Sequence, residues 1–260
     1  MNRARVDIHC DQVYSMGITG RGIGVAVLDT GIFLHEDLKD RVKGFADFVR
    51  RKDRPYDDNG HGTHVAAMIG GSGASMEGKY RGVAPGCSII SVKVLDHRGM
   101  DMLQMCFPDS AGSAPTKSFW ESGLVNIFGR FSVKERYDGK FCLVKGVNAA
   151  WDDGLVVVVA AGNHGPGPMT VTTPGISRKV ITVGCSDDHK EVEVMGNRMV
   201  DYSGRGPTAS CICKPDIVAP GCGIISCGNE VGAYFAKSGT SMSTPLVSGA
   251  IAFCWKNTPI

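Results

Sequence analysis

The sequence predicts an α/β protein of one domain, with a doubly wound, mostly parallel sheet flanked by helices. Short apolar runs at 23–28, 155–161 and 180–185 read as strands buried on both faces. Helical segments fall between the strands, beginning near His61 and again over 143–151, and that alternation is the mark of a parallel sheet. Residues 246–253 are apolar on nearly every face, so the helix that carries them lies at the centre of the molecule. A chain of 260 residues suffices for one large domain with a deep core.

In chain order, Ile23-Gly24-Val25-Ala26-Val27-Leu28 is a buried strand that ends in Asp29-Thr30-Gly31. It leaves a carboxylate at its C-terminal edge, where open α/β sheets build their sites. Read alone, Asp29 serves equally well as the cap of a turn. Next, the polar loop Asp57-Asp58-Asn59-Gly60 leads into a helix that starts near His61 and contains His64. Two histidines three apart share a helix face and suggest a metal, but the Glu that the zinc-protease pattern sets between them is absent. One buried His acting as a base is the better reading. Residues 87–95 form another strand, 143–151 a helix, and 155–161 a strand ending at Gly162-Asn163. Residues 180–185 add a strand and 233–236 a short one. Then Ser238-Gly239-Thr240-Ser241 turns into the apolar helix over 245–255. A serine at a helix start is most simply a cap. The free N–H groups and dipole there also favour developing negative charge.

Composition narrows the classes of function. A net charge of +2 gives no electrostatic case for nucleic acid or an anionic membrane, and no apolar run nears the roughly 18 residues of a membrane span. The polar start has no secretory core, so the chain is expected to be cytoplasmic. Most of the ten cysteines lie inside apolar runs, which suits a reducing compartment rather than a disulfide framework. Cys211, Cys213, Cys222 and Cys227 form the nearest thing to a zinc set, but their spacing fits no common finger pattern. No Gly-rich phosphate loop stands between a strand and a helix.

An acid, a histidine and a serine thus stand at the ends of separate elements, in the order Asp29, His61, Ser241. A serine hydroxyl becomes a useful nucleophile when an imidazole takes its proton and a carboxylate orients that imidazole. Asp…His…Ser is the chain order of the subtilisin group. The sequence resembles the subtilisin-like serine proteases, peptidase family S8, in four motifs. These are Val27-Leu28-Asp29-Thr30-Gly31-Ile32, Asn59-Gly60-His61-Gly62-Thr63-His64-Val65-Ala66, Ala160-Ala161-Gly162-Asn163, and Gly239-Thr240-Ser241-Met242-Ser243-Thr244-Pro245. Shorter matches at 82–85, 202–207 and 214–221 support them.

The resemblance implies a serine endopeptidase acting on polypeptides, with Asp29 as orienting acid, His61 as general base and then acid, and Ser241 as nucleophile. It implies the Asn163 side chain and the Ser241 N–H as oxyanion donors, Gly162 beside them as a substrate-binding position, and His64 as a packing residue. It requires no cofactor. It allows calcium, although the loop over 71–78 does not clearly match the family's calcium site.

Between about 100 and 142 the resemblance lapses. The family places a helix here and then a strand ending in Ser-x-Gly that pairs with substrate. Val125-Asn126-Ile127-Phe128-Gly129 is the nearest candidate and lacks that serine. The pattern resumes abruptly at Leu143 with length preserved, as paired frameshifts or a divergent insert would leave it. The stretch mixes Pro108, Gly112, Pro115 and Gly123 with Phe119 and Trp120 and is expected to be poorly packed. The chain also stops soon after the Ser241 helix, where the family continues, so it reads as C-terminally truncated. Two readings follow: a cytoplasmic endopeptidase, or a relative that keeps the triad but lacks a working substrate edge and cleaves peptides weakly or not at all.

Overall fold

The computed structural model describes residues 1–99, 123–127, 142–194 and 196–255. Their elements, in chain order, are α1 (Asn2–Asp7), α2 (Cys10–Ser15), β1 (Gly24–Asp29), β2 (Val42–Asp47), α3 (His61–Gly70), β3 (Ser88–Lys93), β4 (Gly123–Ile127), α4 (Cys142–Asp152), β5 (Val156–Ala160) and β6 (Ile181–Cys185). They continue with β7 (Val192–Val194), β8 (Asn197–Met199), β9 (Ile217–Ala219), β10 (Ile224–Cys227), β11 (Tyr234–Lys237) and α5 (Thr240–Trp255).

Seven strands form one sheet in the order β2-β3-β1-β4-β5-β6-β9, with every pairing parallel. Because side chains alternate along a strand, each apolar run feeds two cores. Val25 and Val27 of β1 and Val158 of β5 face the layer that holds α3 and α5. Ala26 and Leu28 of β1, with Val157 and Val159 of β5, face the layer where Leu143 and Val147 of α4 pack. That two-sided burial is why these strands read as unbroken apolar runs, and it makes the sheet doubly wound, as expected. Helix α5 lies across the sheet with Met242, Leu246, Ala252 and Phe253 all buried. It is the central helix that its all-round apolarity predicts. The β10–β11 hairpin and the β7–β8 hairpin are antiparallel and stand outside the main sheet.

Within the stretch that breaks from the family pattern, the structure describes the segment offered as the nearest strand candidate. Residues 123–127 form β4, which pairs with β1 on one side and β5 on the other. Parallel partners on both sides give the backbone N–H and C=O groups of this segment their bonds, which overrides its lack of a clear sequence period. The other residues of that expectation, including Phe128 and Gly129, lie outside those described.

This topology fixes where a site can form. From β1 the chain runs outward through β2 and β3 on one side, and through β4, β5, β6 and β9 on the other. The direction of winding reverses beside β1, and the crevice beyond the carboxyl ends of the strands at such a reversal is where open α/β sheets bind ligands.

Candidate active site

Asp29 is the last residue of β1 and is fully buried. Its Oδ1 accepts a hydrogen bond from Thr30 N–H at 2.6 Å, so it does cap the turn. Both its oxygens also face His61, with Nδ1 at 2.8 Å from Oδ1 and 2.9 Å from Oδ2. An imidazole held this way donates from Nδ1 and turns Nε2 toward the other side of the ring. His61 is the first residue of α3, and its ring is about a quarter exposed.

The approach of α3 to β1 rests on glycine. A Cβ on Gly62 would lie 2.2 Å from Gly31 O and 3.2 Å from Asp29 Cβ. Replacing Gly62 by Ala is therefore expected to push α3 off β1, cost about 1–3 kcal/mol in urea unfolding, and lengthen the Asp29–His61 contact.

Asp57 holds the whole junction, and sequence reasoning missed it as a site residue. Its Oδ1 accepts from Thr30 Oγ1 at 2.9 Å, Asn59 N at 3.1 Å and Gly60 N at 2.8 Å. Its Oδ2 accepts from Thr63 N at 2.9 Å and Thr63 Oγ1 at 2.6 Å. The carboxylate thus fills the role of an N-terminal helix cap, although Gly60 occupies the cap position. Burial alone would raise its pKa, but the bonds from Thr63, Gly60 and Asn59 outweigh burial and hold it below the usual carboxylate range. Thr30 links the two halves, since its Oγ1 also accepts Gly62 N–H at 2.9 Å. On the far side of the same turn, the buried Lys93 ammonium donates to Thr30 O at 2.5 Å, Leu95 O at 2.9 Å and Asp58 Oδ1 at 2.7 Å.

Ser241 is the second residue of α5 and half-buried. The first turn of α5 is tied to the end of β5. Asn163 Oδ1 accepts from Thr240 N at 2.9 Å and Thr240 Oγ1 at 3.0 Å, while Gly162 N donates to Thr240 Oγ1 at 3.2 Å. With Oδ1 so engaged, Nδ2 is the donating end of Asn163. It lies 3.2 Å from where a Cβ on Gly239 would sit. Gly162 has φ of +91°, and its carbonyl accepts Gly204 N–H at 2.8 Å. Both its backbone polar groups are engaged within the protein, so it offers a substrate only a Cα wall. The structure thus brings Asp29 to His61 and Asn163 to the Ser241 turn, with Asp29 at the carboxyl end of β1 and Asn163 just past that of β5.

His64 is fully buried, and its Nε2 donates to the carbonyls of Ile224 and Phe235, each at 3.0 Å. Burial, with the nearby Lys237 charge, pushes its pKa down to about 3, so the ring stays neutral and anchors the β10–β11 hairpin to α3.

The loop over 71–78 folds onto Asp37. Ser72 Oγ, Ser75 N–H and Tyr234 O–H all donate to the Asp37 carboxylate, at 3.2, 3.0 and 2.7 Å. These bonds fix the Asp37 carboxylate in place. The sequence-adjacent zinc set also separates: Cys211 and Cys213 are exposed, while Cys222 and Cys227 are buried in different clusters, with Cys185 and Asp187 and with His35 and Asp37.

A parallel α/β sheet with this acid–histidine pair and serine-bearing central helix defines a class, and comparison bears it out: residues 20–260 match the model of the subtilase family, Peptidase S8, to which this chain belongs. Among its relatives, it is 40% identical over 279 residues to serine protease AprX of Bacillus subtilis (strain 168), covering 96% of this chain and 61% of AprX. It is 32% identical to Subtilisin Savinase of Lederbergia lenta, covering 97% of this chain and 83% of that one. Among solved structures, Sphericase superposes with a TM-score of 0.73 at 30% identity, covering 93% of this chain and 79% of that one.

Proposed function

We propose that this chain is a serine endopeptidase that cleaves polypeptides through Asp29, His61 and Ser241. The observation that carries the reading is the two-oxygen grip of Asp29 on His61 Nδ1, on the same side of the sheet as the Ser241 turn. Ser241 Oγ attacks the scissile carbonyl carbon while His61 takes its proton. The charge on the carbonyl oxygen is met by the Asn163 side-chain amide and the Ser241 N–H, at the positive end of α5. His61 then returns the proton to the departing amine, leaving an ester on Ser241. Water, deprotonated by His61, hydrolyses that ester and restores the enzyme. The lone carboxylate of Asp29 stabilises the imidazolium throughout. This chemistry requires no cofactor, and the exposed thiols Cys211 and Cys213 suit a reducing, cytoplasmic setting.

The test is a fluorophosphonate, which labels an activated serine, run beside hydrolysis of peptide anilides. Labelling with hydrolysis supports the proposal. Labelling without hydrolysis identifies a relative with an impaired substrate edge, and absence of labelling overturns both. In the active case, Asn163→Leu is expected to lower kcat by about 10²–10³ with little change in KM, the loss known for the equivalent donor in a subtilisin.

A further inference from the structure

Away from the proposed catalytic groups, the structure gathers two thiols, a carboxylate and a phenol around one point. Cys185 ends β6, and Cys222 follows β9 by three residues, so neighbouring parallel strands deliver both sulfurs to the same end of the sheet. Cys185 Sγ lies 3.2 Å from Asp187 Oδ1 and 3.2 Å from Tyr202 Oη, and Cys222 Sγ lies 3.0 Å from the same Oη. The ligand atoms of Cys185, Asp187 and Cys222 all lie within 4.8 Å of one another. Both cysteines are nearly inaccessible, and Val194, Val192 and Met199 pack against the group.

We propose that Cys185, Cys222 and Asp187 bind one thiophilic divalent cation of the zinc type, with the Tyr202 hydroxyl on the fourth side. Bond lengths of about 2.3 Å to sulfur and about 2.0–2.2 Å to oxygen make the edges of a tetrahedral site roughly 3.5 Å. The Cys185–Asp187 separation is already close to that. Charge also balances. Asp187 Oδ2 is paired with Arg3 at 2.5 Å, so the empty cluster of two neutral thiols, one carboxylate and one guanidinium is neutral. Exchanging both thiol protons for one M²⁺ leaves it neutral, with two protons released to solvent and no redox change. The bonds Asp187 Oδ1 accepts from Gly221 N at 2.8 Å and Cys222 N at 3.0 Å fix the carboxylate before any ion arrives.

The cation site also connects to the nucleophile turn. Gly221 O accepts Gly239 N–H at 3.0 Å, two residues before Ser241. An ion that clamps β6 to the loop after β9 therefore stiffens the support of that turn.

The test uses the whole chain, reduced with a phosphine and freed of metal, then titrated with Co²⁺ as a spectroscopic stand-in for zinc. One equivalent is expected to give thiolate-to-cobalt charge-transfer absorption, with affinity rising about a hundredfold per pH unit below the thiol range, since two protons leave. Zinc is expected to displace the cobalt and raise the unfolding temperature. The absorption should vanish in Cys222→Ser and persist in the double variant Cys211→Ser, Cys213→Ser. Should Cys222→Ser not fold, Asp187→Asn is read instead and is expected to weaken cobalt binding at least about tenfold. No charge-transfer band in the reduced wild-type chain, a band that survives loss of Cys222, or unchanged affinity in Asp187→Asn overturns the proposal. The readouts are independent of peptidase activity.

Discussion

Ser241→Ala is expected to abolish fluorophosphonate labelling and to lower kcat for peptide hydrolysis by about 10⁶, the size known for the serine of a subtilisin triad. The fold should survive, because Ser241 is half-buried and the first turn of α5 is held by other residues. Met242 N still bonds Gly239 O at 2.9 Å, and Thr244 Oγ1 still bonds Thr240 O at 2.8 Å. An unchanged urea midpoint with no labelling is the expected pair of results. A variant that keeps its labelling would mean that another nucleophile reacts. His61→Ala should come close to Ser241→Ala, because members of a triad act as a unit and their losses do not add.

The second large effect concerns stability. Asp57→Ala leaves the donors of Thr30, Asn59, Gly60 and Thr63 without their shared acceptor inside the protein. Removing one member of a buried charged network in this way is expected to cost about 3–5 kcal/mol at pH 7, read by urea unfolding. The loss should depend on pH in a defined direction. The folded chain keeps Asp57 ionised below its ordinary value of 3.8, so the unfolded chain binds more protons in that region. The stabilisation is complete above 3.8 and is lost as pH falls through the folded value, so the gap between wild type and Asp57→Ala narrows there. His64 acts earlier. Its pKa is about 3 when folded against an ordinary 6.5, so stability declines as pH falls from 6.5 toward 3 in both proteins alike. A gap that stays constant down to the lowest pH with a cooperative transition would show that the Asp57 charge is not what holds the junction.

Much of the fold was legible because burial on both sheet faces writes itself into composition. Val25 through Leu28 and Val156 through Val159 have no polar alternate, and α5 has no polar face. The edge strands were hidden for the converse reason. In β2, Lys43 is exposed and Gly44 interrupts the run. β9 is only three residues long, between Pro215 and Pro220, and Ile217 and Val218 are exposed. Central β4 was partly legible: 125–129 stood out as the strand candidate, and β4 spans Gly123–Ile127. At the site, Asp29, His61, Asn163 and Ser241 were named from motifs, but Asp57 passed as one acid in a polar loop. Only the convergence of five donors on it shows its role, and no spacing rule encodes that. The cysteines teach the same lesson: Cys222 and Cys227 are near in sequence, yet Cys222 meets Cys185 through strand order.

The placement of Ser241 on the last described helix also governs timing. Asp29 and His61 are synthesised before the serine, which follows about 180 residues later. At about 5–20 residues per second, a nascent chain carries an acid–base pair without a nucleophile for roughly 10–35 s. Helix α5 must then insert between β5, β6 and α3, all made earlier, before Asn163 acquires its partner Thr240. On the proposed mechanism, proteolytic competence arrives in one late step of synthesis, after most of the sheet has been made. If Ser241 is the proposed nucleophile, a ribosome-arrested chain ending before it should be inert toward fluorophosphonate and harmless to its own unfolded segments.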